Sequence, residues 1–151
     1  MSQPSPGFDR QVRQHIYEFT LSRGYPPTLA DAAASLAVSA SEVSAAFRRL
    51  ADAHMLVLQP ETDEILMASP FSAVPTPFLV ETDAFTCFGN CIWDALGIPA
   101  MLKQDARIKT ACPDCGTGLS LSVSAGSLRA PDGLIHFALP ARRWWDNIVF
   151  T

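Results

Sequence analysis

A chain of 151 residues can hold one domain or two small ones, and 48% apolar residues supply a core for either. The formal net charge of −4 gives no sign of a polyanion-binding protein. No uninterrupted apolar run reaches the roughly 20 residues of a membrane span, and the polar start of the chain is not a signal peptide. The expected setting is cytoplasmic, with reduced cysteines. Two disulfides among the four cysteines are the weaker reading.

Residues 8–23 read as an amphipathic helix, with Val12, Ile16 and Phe19 at helical spacing, Asp9 as cap and Gly24 as stop. Pro26-Pro27 then punctuates the chain, and Thr28 caps a short helix carrying Leu29, Ala32, Ala33 and Leu36. Ser39 with Glu42 makes a capping box that opens a third helix, whose apolar face is Val43, Ala46, Phe47 and Leu50. Strands at 55–58 and 64–67 are joined by a turn at 60–63. Three helices followed by a hairpin predict a winged helix over residues 1–69.

Three prolines in nine residues, 69–77, favour extended chain over helix or central strand, so residues 70–77 are read as a linker. Residues 78–151 read as a small mixed α/β domain with a mostly antiparallel sheet. Its expected strands are 78–80, 107–110, 119–123 and 134–138, with turns at 112–116 and 126–133. Its expected helices are 91–102, disturbed by Pro99, and a short one at 140–145. A further strand begins at 148–151. The expected fold class is α+β.

The third helix of a winged helix is the one that reads DNA. Here it carries Arg48 and Arg49 but also Glu42 and Asp52. Residues 1–69 hold five Arg or Lys against eight Asp or Glu, a net of −3. Phosphate neutralisation supplies most non-specific DNA affinity, so DNA is not the expected partner. The winged helix is read as structural, packing on the second region.

All four cysteines fall between positions 87 and 115. Cys91 and Asp94 are three residues apart at an expected helix start, so they share one face. With Asn90 as cap, the helix N-terminus is expected to favour the Cys91 thiolate, the form that binds soft metals. A carboxylate beside it can pass a proton or act as a hard ligand. The competing reading is a buried cysteine in a core helix, with Asp94 merely favouring the helix start. Cys112-Pro113-Asp114-Cys115-Gly116 resembles half of a zinc knuckle. Cys87 and Cys91 would supply the other two sulfurs of a tetrahedral structural zinc. A redox reading is weaker, because a redox Cys-x-x-Cys normally opens a helix and this one turns into a strand. His15, His54 and His136 are isolated, with His136 expected in a strand. Trp144-Trp145 reads as core.

Taken together, the winged helix, Met67-Ala68-Ser69-Pro70-Phe71-Ser72, Cys91-Ile92-Trp93-Asp94-Ala95-Leu96, Cys112-Pro113, His136-Phe137 and the run from Trp144 to Thr151 resemble the organomercurial (alkylmercury) lyase family. The resemblance covers nearly the whole chain and is densest over 67–151. It implies cleavage of a carbon–mercury bond to give a hydrocarbon and Hg(II). It implies no required cofactor, mercury being bound as substrate and product. Cys91 matches the family's first catalytic cysteine, Asp94 the aspartate that delivers the proton, and Cys112 a cysteine regarded as structural. The second catalytic cysteine would follow a strand beginning Ile148-Val149-Phe150-Thr151, where this sequence ends. Cys87 and Cys115 are the candidates to stand in, and weakened turnover is expected. The implied partner is a small organomercurial or another soft-metal compound; the oligomeric state is not legible. The alternative, from another class, is a non-catalytic soft-metal-binding or zinc-stabilised winged-helix sensor.

Overall fold

The computed structural model describes residues 6–129 and 132–149. The chain opens with three helices, α1 (Pro6–Arg23), α2 (Leu29–Leu36) and α3 (Ala40–Asp52). The expected Ser39–Glu42 capping box forms, and the expected Thr28 cap proves to be a box as well, with Asp31, so two backbone N–H groups are satisfied at each of these helix starts. Val12, Ile16, Ala32, Val43, Ala46, Phe47 and Leu50 share one buried cluster. Asp9 is not the cap of α1. It lies in the first turn and makes a two-point ion pair with Arg49 of α3, at 2.8 and 2.6 Å. Gly24 ends α1 at φ +86°, its N–H bonded to the Thr20 carbonyl at 2.7 Å. A Cβ there would sit 2.1 Å from the Thr86 carbonyl oxygen, so only glycine lets the end of α1 lie this close to the sheet.

Eight strands form one antiparallel sheet in the order β1-β2-β3-β5-β4-β6-β7-β8. They are β1 (Val57–Leu58), β2 (Ile65–Ala68), β3 (Phe71–Ser72), β4 (Leu79–Glu81), β5 (Thr86–Gly89), β6 (Ala106–Ala111), β7 (Gly118–Ser124) and β8 (Ser127–Arg129). The first strand is shorter than the expected 55–58. The N–H of Met55 is still spent on the Leu50 carbonyl, in the closing turn of α3. One helix, α4 (Ile92–Leu102), packs on the sheet, and a 3-10 helix follows at Ala141–Asp146. The fold class is α+β with an antiparallel sheet.

Several expectations for the later chain need correction. The stretch expected to avoid a central strand contains β3, which pairs with β2 on one side and β5 on the other. Prolines 70, 75 and 77 flank Phe71 and Ser72 without occupying them, so both ladder N–H groups remain available. β5 lies where no strand was expected, its four-residue run being short and closed by Gly89. β8 occupies part of the expected 126–133 turn. Residues 134–138 form no strand. Leu134 is 98% exposed, and a short apolar run without a neighbouring ladder does not fix a strand. His136 is correspondingly exposed rather than held in a sheet. Ile148 and Val149 lie in a turn, while Phe150 and Thr151 fall outside the described residues. Trp144 is half-buried, its indole N–H donating to the Leu139 carbonyl at 3.0 Å, whereas Trp145 is exposed and stacks on His54 at 4.1 Å.

A second buried cluster, beside that of the helices, joins Phe71, Val80, Cys87, Ala95, Ile98, Ala106, Ile108, Leu121 and Val123. Tyr17 of α1 packs against it, and its hydroxyl donates to the Ser69 carbonyl at 2.9 Å. Among the described residues no helix is long and apolar enough to cross a membrane.

Candidate active site

The site grows from the junction of β5 and α4. β5 ends at Gly89, whose N–H bonds to the Phe78 carbonyl at 3.0 Å. A Cβ at Gly89 would lie 2.8 Å from the backbone nitrogen of Ala95, too close for any side chain. Glycine therefore lets α4 settle directly onto the strand that precedes it. Ala95, Ile98 and Pro99 face the sheet and are fully buried. Pro99 sits inside the helix without ending it, and the helix closes at Lys103 with φ +53°.

The helix cap is Cys91, not Asn90. Cys91 has extended backbone angles, φ −146° and ψ 179°, and its sulfur accepts the Asp94 N–H at 3.5 Å. Its carbonyl accepts the Ala95 N–H at 2.9 Å. Asn90 stands one residue too early to cap. Its amide instead donates to Asp94 Oδ2 at 2.9 Å, and its own Oδ1 is buried with no hydrogen-bond partner. Cys91, Asp94 and Asn90 thus meet within one turn, all half-buried. This role of Asn90 was missed by sequence reasoning. Its signal was a small polar residue four positions before the carboxylate, at the strand-to-helix bend.

Two opposing effects act on the thiol. Burial penalises the thiolate, while the N–H groups of Asp94 and Trp93 favour it and a charged Asp94 disfavours it. Burial is the largest, so the Cys91 thiol is held above its ordinary range. This overturns the expected thiolate at the helix N-terminus: the helix supplies the N–H groups, but the sulfur is too far out of water for them to prevail. Asp94 is shifted the same way. Burial raises its carboxyl above the usual carboxylate range, and the Asn90 amide offsets this only in part.

The other thiols are spread apart. Cys87 faces the core from β5 and is 2% exposed, its thiol pushed up to about 12 by burial. Cys112 and Cys115 lie on the β6–β7 turn, half-buried and exposed respectively. Hydrogen bonding with the Thr117 side chain, whose Oγ1 is 3.1 Å from the sulfur, lowers the Cys115 thiol below its ordinary value. Among the described residues no three His, Cys, Asp or Glu side chains gather as a metal would require. The expected four-sulfur zinc arrangement is therefore not assembled: Cys87 projects into the core while Cys91 sits past the bend at Asn90. Two open clefts, of about 300 Å³ beside Arg48 and Asp63 and about 350 Å³ between Asp83 and Asp105, contain no thiol. The candidate site is the Cys91–Asp94 pair on chemical grounds, not on cavity size.

Residues 71–151, more than half of the chain, match the MerB family, described as alkylmercury lyase. The chain belongs to the alkylmercury lyase family. Its fold is similar to that in the crystal structure of the mercury-bound form of MerB2, with a TM-score of 0.62 and 22% identity. That match covers 82% of this chain, which spans only 59% of the MerB2 chain. A search among curated proteins returns no match.

The thiol environments predict an order of reactivity. Alkylation followed cysteine by cysteine at neutral pH should modify Cys115 first, Cys91 more slowly and Cys87 only on unfolding. The Cys91 rate should keep rising past pH 9.0, the ordinary thiol value. A Cys91 faster than Cys115 at neutral pH would show that the helix N-terminus outweighs burial.

Proposed function

We propose that this chain is an alkylmercury lyase that captures an organomercurial on Cys91 and protonates its carbon from Asp94. The observation that carries the reading is the half-buried Cys91–Asp94 turn, in which burial holds the carboxyl in its acid form more strongly than in water. The family match and the mercury named in the MerB2 structure support mercury as the bound species. Mercury is soft and prefers sulfur. Cys91 replaces the ligand X of R–Hg–X, forming a sulfur–mercury bond, and the thiol proton leaves as HX. Asp94 then gives its proton to the carbon as the carbon–mercury bond breaks, a general-acid step. The hydrocarbon RH departs. The carboxylate left behind faces the cationic mercury held on Cys91, so charge develops where it is compensated.

Among the described residues no third ligating side chain joins Cys91 and Asp94. One thiolate pushes less electron density to the carbon than two, so residues 1–151 should cleave slowly. In this reading residues 78–151 form the lyase-like domain, residues 70–77 connect, and residues 1–69 form a winged-helix-like domain that braces it. A reducing, cytoplasmic compartment suits the free thiols. Methylmercury given to the chain should release methane. Asp94→Ala should lower that release by about 100-fold or more while mercury stays bound, since it removes the acid and not the soft ligand. Cys91→Ser should lose capture as well; normal cleavage by Cys91→Ser would end the lyase reading.

DNA is not a partner in this proposal. The two arginines of α3 are already engaged, Arg48 with Asp63 at 2.8 Å and Arg49 with Asp9 at 2.6 Å, and neutralising phosphates would mean breaking these pairs. A mobility-shift titration with duplex DNA at physiological salt should show no complex. Sequence-selective binding below micromolar would favour a regulator instead.

A further inference from the structure

We propose that Cys112 and Cys115 form a second, separate site: an exposed dithiol clamp for a two-coordinate soft cation, which receives Hg(II) from Cys91. The turn that carries them is built by its backbone. The Cys112 N–H bonds to the Thr117 carbonyl and the Gly116 N–H to the Cys112 carbonyl, each at 2.9 Å. Gly116 takes φ +71°, which glycine adopts without strain. The chain therefore folds back within five residues, which places Cys112 and Cys115 on one tight turn. Two adjacent sulfurs with no third ligating side chain among the described residues suit a cation that takes two thiolates, as Hg(II) does. They do not suit zinc, which needs four ligands in a structural site.

Sheet register places this clamp at the same end of the sheet as Cys91. Leu79 of β4 is opposite Phe88 of β5 on one side and Lys109 of β6 on the other. β5 and β6 each run antiparallel to β4, so they run parallel to one another. Cys91 is three residues beyond Phe88, and Cys112 is three residues beyond Lys109. Both thiols therefore leave the same end of the sheet, separated by β4, which is roughly 10 Å for two strand spacings. Mercury on Cys91 is half-buried and held by one protein sulfur; the clamp is more open to solvent and offers two. The transfer is a ligand exchange without redox change. Two mercury bonds form, to Cys112 and Cys115, as the bond to Cys91 breaks and mercury leaves the Asp94 carboxylate. Of the two thiol protons released, one goes to the Cys91 sulfur and one to the Asp94 carboxylate.

The receiving role rests on the proposed lyase reading, but the site is tested apart from it. Cys91→Ser protein, which cannot perform the cleavage, is titrated with mercuric chloride against a small monothiol competitor, and binding is followed by sulfur-to-mercury charge-transfer absorption. One tightly held Hg(II) per chain is expected. Adding Cys115→Ser should weaken it by about 100-fold or more, the loss expected when a two-point attachment becomes one-point. Cys115 is exposed, so this change leaves the core intact. Cys112→Ser should act alike. Equal affinity with and without Cys115, or a tightly retained Zn(II) in the Cys91→Ser protein, would overturn the clamp. Absence of methane release from the unmodified chain, with the clamp intact, would overturn the lyase reading and leave this site standing.

Discussion

The close approach of α4 to β5 is the constraint on which the candidate site depends. It exists because position 89 has no side chain: a Cβ there would meet the Ala95 nitrogen at 2.8 Å. With that contact made, Ala95, Ile98 and Pro99 are sealed against the sheet. Cys91 is then fixed at the last point before the helix, and Asp94 one turn on. Gly24 repeats the device at the other end of β5, where its missing Cβ lets the end of α1 lie against the Thr86 carbonyl. Two glycines thus let helical backbone come close at both ends of one short strand, and the second end carries the candidate site.

The same packing decides the protonation of the pair. A helix N-terminus favours anions, and Cys91 does receive the Asp94 N–H. Burial nevertheless wins at both groups, raising thiol and carboxyl together. For a hydrolytic thiol nucleophile this would be a handicap. For the proposed protonolysis it is suitable, because in that reading the carboxyl holds a proton until mercury has been captured. Mercury's affinity for sulfur offsets the reluctance of the thiol to ionise. The Asn90 amide keeps Asp94 oriented without supplying a full countercharge, which would have drained the acid of its proton.

Much of this was legible in the sequence. The Thr28 cap, the Ser39 capping box, the apolar face of α3 and the helical start near Cys91 follow from local rules, and all formed. Cys91 and Asp94 also meet, though not as two residues on one helix face: Cys91 is the extended cap, and its sulfur accepts the Asp94 N–H. Tertiary context governed what was missed. β3 and β5 are short strands whose existence depends on the neighbours they pair with, and residues 134–138 are apolar enough for a strand but have none. The cap was placed one residue early because sulfur is a weak acceptor and asparagine a strong one. Only the structure shows the Asn90 amide committed to Asp94. The zinc reading failed for a related reason: spacing brings cysteines near in sequence, while β5 turns Cys87 into the core.

The central claim is that packing of α4 keeps the Asp94 carboxyl in its acid form beyond the range of an exposed aspartate. The direct measurement is the titration of its side-chain carboxyl carbon by NMR in the unliganded protein, with carbon-13-labelled aspartate and Asp94→Asn to assign the signal. A midpoint clearly above 3.8, the ordinary aspartate value, is the predicted result. A midpoint at or below it would mean that the Asn90 hydrogen bond and solvent access outweigh burial, and that Asp94 is not the stored acid of this site.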